Sequence, residues 1–259
     1  MKLKLTFLLA VVVIALAACT SSKVNKKPTE TLTLKFKSIK GTNASVVAYN
    51  PQKQLYYTAI AGNQSFPIET FNQKGEFLNT ATLGFDLRGL WWNTKENSLQ
   101  SNAYDDLGIN TLKTNEGGLI IGEFTWLTHQ SGQPSSNSVG AYNSKDNQIL
   151  YYNDGKLYKV DASTYASAGE LELKIPVSLD DINQTTVIYT GIKHKEAGVL
   201  NYKDKKVYLF DINSGKLTAT VQLPTTAITH DLFRFSYANG YVWLYDVDVR
   251  TWTGYKISK

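Results

Sequence analysis

Two short clusters hold the side chains best suited to chemistry: Asp86-Leu87-Arg88 and His230-Asp231-Leu232-Phe233-Arg234. A pair of carboxylates about 5 to 10 Å apart can hydrolyse a glycosidic bond, one as acid and the other as base or nucleophile. Asp86 and Asp231 are the candidates for such a pair. An Asp beside an Arg can instead hold a sugar or another polar small molecule, or the two can simply pair with each other. Trp91 offers a flat face on which a ring-shaped ligand could stack, and packing beneath a loop explains it equally well.

Other chemistry is thin. The three histidines, His129, His194 and His230, stand at no metal-ligand spacing from one another. No G-x-S-x-G elbow and no Walker-type loop occurs. Asp180-Asp181 could add a third carboxylate but also suits a solvated turn. Asp246-Val247-Asp248 spaces oxygens as a calcium loop does, without the Gly and Glu that follow in one. No metal and no cofactor is expected.

The candidates belong to a repeat. A small or apolar pair, an aromatic and then a polar turn recur around Tyr49, Trp92, Tyr142, Tyr189 and Tyr237, at separations of 43, 50, 47 and 48 residues. Six residues before each aromatic stands a short polar residue: Asn43, Asp86, Ser136, Asn183 and Asp231. Repeated turn capping accounts for these five. So does a polar ring around a central channel, to which Asp86, Arg88, Asn183, His230, Asp231 and Arg234 would contribute ligand-binding groups. The aromatics are expected to pack each unit against its neighbour.

Between the aromatics the chain reads as short strands broken by Asn, Gly, Asp and Lys turns, with no sustained helical period. In 206–223, KVYLFDINSGKLTATVQL, a strand with two apolar faces runs through a turn into a second strand, so its sheet must be covered on both sides. Units of 40 to 50 residues with four strands each are what propeller blades require. The fold class expected is therefore all-β, a β-propeller. Strands are expected at 139–142 and 170–175 in the third unit, at 186–189 in the fourth, and at 233–237 in the fifth, while 128–138 reads as an exposed loop. The fifth unit has three strands, and a spare strand at 31–39 precedes the first unit. If that strand completes the last blade the ring has five blades; six is the alternative.

The N-terminus reads as an address. A short basic segment and an apolar run too short to span a bilayer comfortably end in Leu16-Ala17-Ala18-Cys19, which resembles the lipobox of bacterial lipoproteins. The resemblance implies a signal peptide over 1–18, a lipid on Cys19 that ties the protein to the membrane, a tether over 19–28 and a domain over 29–259. Cys19 is the only cysteine, so the exported domain has no disulfide. Five lysines precede residue 29, leaving 22 basic against 22 acidic residues in the domain, a balance that gives no support to a nucleic-acid partner.

Lys206-Val207-Tyr208-Leu209-Phe210-Asp211, followed by Ser214-Gly215-Lys216-Leu217 and Val221, resembles the repeat of YVTN- and NHL-type β-propellers. Tyr158-Lys159-Val160-Asp161 is a fainter copy. The resemblance implies a fold and a habit of binding, and no particular reaction. The function expected is a lipid-anchored binding or scaffolding module of the bacterial cell envelope, for a protein or small polar ligand. The alternative is a carbohydrate hydrolase using Asp86 and Asp231.

Overall fold

The computed structural model describes residues 28–257. The signal segment, Cys19 and most of the tether lie outside the described residues. The chain begins with strand β1 (Thr29–Lys35) and then builds five four-stranded antiparallel sheets. Blade 1 holds β2 (Asn43–Asn50), β3 (Leu55–Ala61), β4 (Pro67–Asn72) and β5 (Phe77–Thr82). Blade 2 holds β6 (Leu87–Asn93), β7 (Ser98–Ala103), β8 (Ile109–Thr114) and β9 (Ile120–Thr128). Blade 3 holds β10 (Ala141–Asn143), β11 (Gln148–Asn153), β12 (Lys156–Asp161) and β13 (Ser167–Glu172). Blade 4 holds β14 (Ile188–Tyr189), β15 (Ala197–Asn201), β16 (Lys206–Phe210) and β17 (Leu217–Gln222). Blade 5 holds β18 (Phe235–Ala238), β19 (Tyr241–Asp246) and β20 (Thr251–Lys256), and β1 completes it against β20. The first strand of each blade lies beside that of the next, and β18 lies beside β2. The ring therefore closes on five blades.

Burial follows distance from the axis. In β3, LYYTAIA, every residue is buried, because neighbouring blades cover both of its faces. The outermost β5 and β9 alternate between half-buried and exposed over nearly all their length, as a strand covered on one face must. β16 is buried from Val207 to Phe210, the doubly covered strand expected of that hairpin.

The innermost strands begin at one face of the ring, here the upper, and end at the other, the lower. The turns after them carry the repeated Asn. Asn50 Oδ1 accepts the amides of Gln52 and Lys53, Asn93 Oδ1 those of Lys95 and Glu96, and Asn143 Oδ1 those of Lys145 and Asp146. Each side chain stands in for a backbone turn acceptor. The five aromatics pack blade against blade at this same end. Tyr49 tilts against Tyr56 at 4.7 Å within the cluster that includes Tyr241 and Trp243 of blade 5. The Tyr142 hydroxyl meets Thr94 and Lys95 of blade 2, and that of Tyr189 meets Ser144 and Lys145 of blade 3.

Several elements differ from expectation. The fifth blade's first strand starts at Phe235, because Phe233 and Arg234 take left-handed backbone (φ 48° and 57°) that no strand accommodates. The innermost strands of blades 3 and 4 shrink to Ala141–Asn143 and Ile188–Tyr189, and β13 runs from Ser167 to Glu172. The 128–138 loop is tied down rather than free. Asp106 Oδ1 accepts the amide and hydroxyl of Ser131, both at 2.6 Å, and Ser131 and Ser138 are buried.

The closing segment, 36–42, crosses from blade 5 to blade 1 under a clasp. Glu69, fully buried in β4, accepts the amides of Lys37 (2.9 Å) and Ser38 (2.8 Å). From the turn after β19, Arg250 donates to the carbonyls of Ser38, Lys40 and Gly41. Burial raises the Glu69 carboxyl above its ordinary value, against the pull of the two amides and of Arg250.

Candidate functional site

The channel has two unlike ends. At the upper end the five polar residues found by spacing join blade to blade. Asp86 Oδ1 accepts the Gly62 amide of blade 1 at 2.7 Å. Ser136, before blade 3, donates to Asp105 of blade 2. Asn183, fully buried before blade 4, donates to the carbonyls of His230 and Phe233 at 3.0 and 2.9 Å. The Asp231 carbonyl accepts the Gln184 amide. Arg234 of blade 5 donates to Asn43 of blade 1 at 2.7 Å. These hydrogen bonds join each blade to a neighbour at the upper face, and Asn183 also caps its own turn.

Arg88 closes this end. Its guanidinium pairs with Asp86 at 2.5 Å, donates to Asn137 at 3.1 Å, and lies 4.5 Å from the ring centre of Tyr104 and 5.5 Å from that of Phe233. Blades 2 and 5 are not neighbours in the ring, so the contact between Arg88 and Phe233 crosses the channel. Arg88 is only 5 % exposed. A buried guanidinium needs a full set of partners, and this one has a carboxylate, an amide oxygen and two aromatic faces.

The structure therefore brings Arg88 together with Asp86 and with the His230–Arg234 loop, and ties Asn183 beneath that loop. Asp86 and Asp231 are each engaged locally. Asp231 Oδ1 lies 2.6 Å from His230 Nδ1, which also accepts the Leu232 amide at 3.4 Å. Burial first, and Arg234 second, lower the pKa of His230, which favours a neutral imidazole. Trp91 stands apart from these residues. It is buried against Tyr142 and Tyr151 of blade 3, donates to Gln100, and borders the lower cavity. Gly89 and Gly140 let blades 2 and 3 approach there, since a Cβ on Gly89 would fall 2.2 Å from Asn102 Oδ1 and 2.5 Å from the Gly140 nitrogen.

At the lower end a cavity of about 230 Å³ lies on the axis, bordered by all five repeat aromatics. Burial raises the phenol pKa of Tyr49, Tyr142, Tyr189 and Tyr237, keeping the ring uncharged. A larger open cleft of about 670 Å³ lies on the upper face between blades 1 and 2. It is bordered by the Asn63–Ser65 turn, Phe85, Asp86, Tyr104, Leu107, Phe124 and Trp126, and Asp231 is not among its lining residues. Sequence reasoning missed this cleft. The signal for it was the period-2 pair Phe124 and Trp126 in the alternating strand β9. Among the described residues, no group of three or more His, Cys, Asp or Glu is placed to hold a metal ion.

Fold and site define a five-bladed β-propeller plugged at one end of its channel and hollow at the other. No protein-family model matches the chain, and no curated protein matches it. Among solved structures it is similar to the glutaminyl cyclase of Myxococcus xanthus, with TM-score 0.57 and 10 % identity over 90 % of this chain and 100 % of that one. It is less similar to the β-propeller domain of Cps50 (Swd1) from Myceliophteria thermophila, with TM-score 0.45 and 9 % identity over 83 % of each chain. The first of these likenesses supports the propeller fold, and at such identity no activity passes from it to this chain.

Proposed function

We propose that this protein is a lipid-anchored β-propeller of the bacterial cell envelope, a binding module that meets its protein or polar ligand through the upper face. The observation that carries this proposal is the placement of exposed apolar side chains. Of ten large exposed hydrophobics among the described residues, seven stand on upper-face segments: Ile39, Tyr104, Leu107, Leu179, Ile228, Leu232 and Val249. The other three, Leu78, Ile121 and Leu127, are on outermost strands. None is in a lower-face turn. An excess of exposed apolar side chains on one face over the other favours that face as the interaction surface.

The path of the chain supports the same face. β1 pairs antiparallel to β20, with Thr29 opposite Lys256, so the chain enters the propeller at the lower face. A lipid on Cys19, ten residues before Thr29 and so at most about 35 Å away along an extended chain, would hold the lower face toward the bilayer. The upper face would then point outward. Asp86 is held by Arg88 and Gly62, and Asp231 by His230, an arrangement that favours stitching over paired acid–base catalysis.

A photo-crosslinking residue at Leu107 or Leu232, and in parallel at Asn239 or Lys145, tests the proposal in the full chain in its native membrane. Discrete adducts from the first pair and not the second are expected. Adducts from the lower-face positions alone would overturn it.

A further inference from the structure

The cleft between blades 1 and 2 has features of its own. Phe85 forms its floor, edge-on to Phe124 at 4.7 Å and tilted to Trp126 at 5.4 Å. Tyr104, 38 % exposed, stands in the turn after β7 with Arg88 against its ring. Tyr104 is exposed and Trp126, half-buried with His129 tilted against it at 5.7 Å, borders the cleft beside it; aromatic planes so held suit a ligand with a flat apolar face.

The polar groups are mostly uncharged. Asn63 commits its carbonyl oxygen to the Ser65 amide, leaving its NH₂ as a donor. The side chains of Gln64 and Ser65 are both exposed, and among the described residues neither makes a hydrogen bond. Asp86 accepts Gly62 and Arg88 through Oδ1, and Oδ2 takes part in neither bond. Neutral amides, a hydroxyl and one carboxylate oxygen match a ligand rich in hydroxyl groups. Charge narrows the class. Arg88 is buried and paired with Asp86, so among the described residues no free cation lines the cleft to hold an anion, and the Asp86 charge is balanced against a cation.

Resting on the proposal that the upper face is the recognition surface, we propose that this cleft binds a neutral saccharide. A sugar's axial C–H face would lie against Trp126 or Tyr104 while its hydroxyls meet Asp86 Oδ2, Gln64 and Asn63.

Saturation-transfer NMR on the full chain in detergent, with cellohexaose, maltohexaose and N-acetylchitohexaose as probes and polygalacturonate as the anionic control, tests it. Transfer to the ring protons of at least one neutral hexaose is expected, with little to the control. Trp126→Ala should weaken that binding about tenfold, as losing a stacked ring does. Gln64→Ala, at an exposed turn that does not endanger the fold, should weaken it a few-fold. Transfer from no neutral hexaose at millimolar concentration would overturn the inference, as would binding that survives both substitutions. Adducts at Leu107 and Leu232 can persist while every sugar fails, so the wider proposal and this one fall separately.

Discussion

The two ends of the channel are built from the same five strands and differ in almost everything else. At the lower end three of the five turns are near copies with the same Asn cap, and all five repeat aromatics border one cavity. At the upper end no two connections carry the same residues. They range from the buried Arg88 plug to the left-handed pair Phe233 and Arg234. Repetition marks what every blade needs in order to stand beside its neighbour. Departure from the repeat marks what is particular to this chain, and the exposed apolar side chains gather on that same face.

The sharpest way to break this contrast is to open the ring. Glu69→Ala would leave the Lys37 and Ser38 amides without their acceptor and remove the carboxylate whose charge Arg250 faces. A loss of about 3 kcal/mol in unfolding free energy by urea titration is expected. Glu69→Gln adds a pH signature. Burial raises the carboxyl pKa in the folded state, so the folded chain binds that proton more tightly than the unfolded chain. Wild-type stability relative to Glu69→Gln should therefore fall as pH rises from the ordinary glutamate value through the raised one, and be level on either side.

Next in size is the plug. Arg88→Ala strands Asp86 and removes the contact across the channel, and should cost about 2 kcal/mol. Arg88→Lys keeps the charge and loses the fork to Asn137, so about half of that loss is expected. Filling the lower cavity, by Ala141→Trp, should leave partner capture at Leu107 unchanged, since the channel's hollow end is not the face assigned to recognition. The smallest effect belongs to the blade edge. Ile121→Lys, on the outermost strand of blade 2, should move the unfolding midpoint by no more than about 0.5 kcal/mol in equivalent stability and leave binding intact.

Much of the architecture was legible because the physics of a propeller repeats. The aromatic spacing set the number of blades, and the unpaired strand before the first unit implied closure by β1. The upper loops were legible only in part. Spacing found Asn43, Asp86, Ser136, Asn183 and Asp231, yet residue type could not distinguish a side chain that joins two blades from one that faces a ligand. Trp91 carried no sign that Gly140 leaves room for it between blades 2 and 3. The blade 1–2 cleft draws on residues as far apart as Asn63 and Trp126, and no local pattern reports that they meet. Glu69 looked like an ordinary polar residue in a strand, since its partners are backbone amides more than thirty positions away.

The division of labour between the two faces is tested most directly by measuring which one lies near the bilayer. Cys19 is the only cysteine, so with Cys19 acylated as proposed, a single new cysteine can be labelled specifically. Energy transfer from a dye at Asn239→Cys or at Leu107→Cys to an acceptor in the membrane reports each face's distance. The faces are about 20 Å apart along strands of six or seven residues. Stronger transfer from position 239 than from position 107 is expected. Equal transfer, or stronger transfer from position 107, would contradict the assignment of the upper face as the one presented for binding.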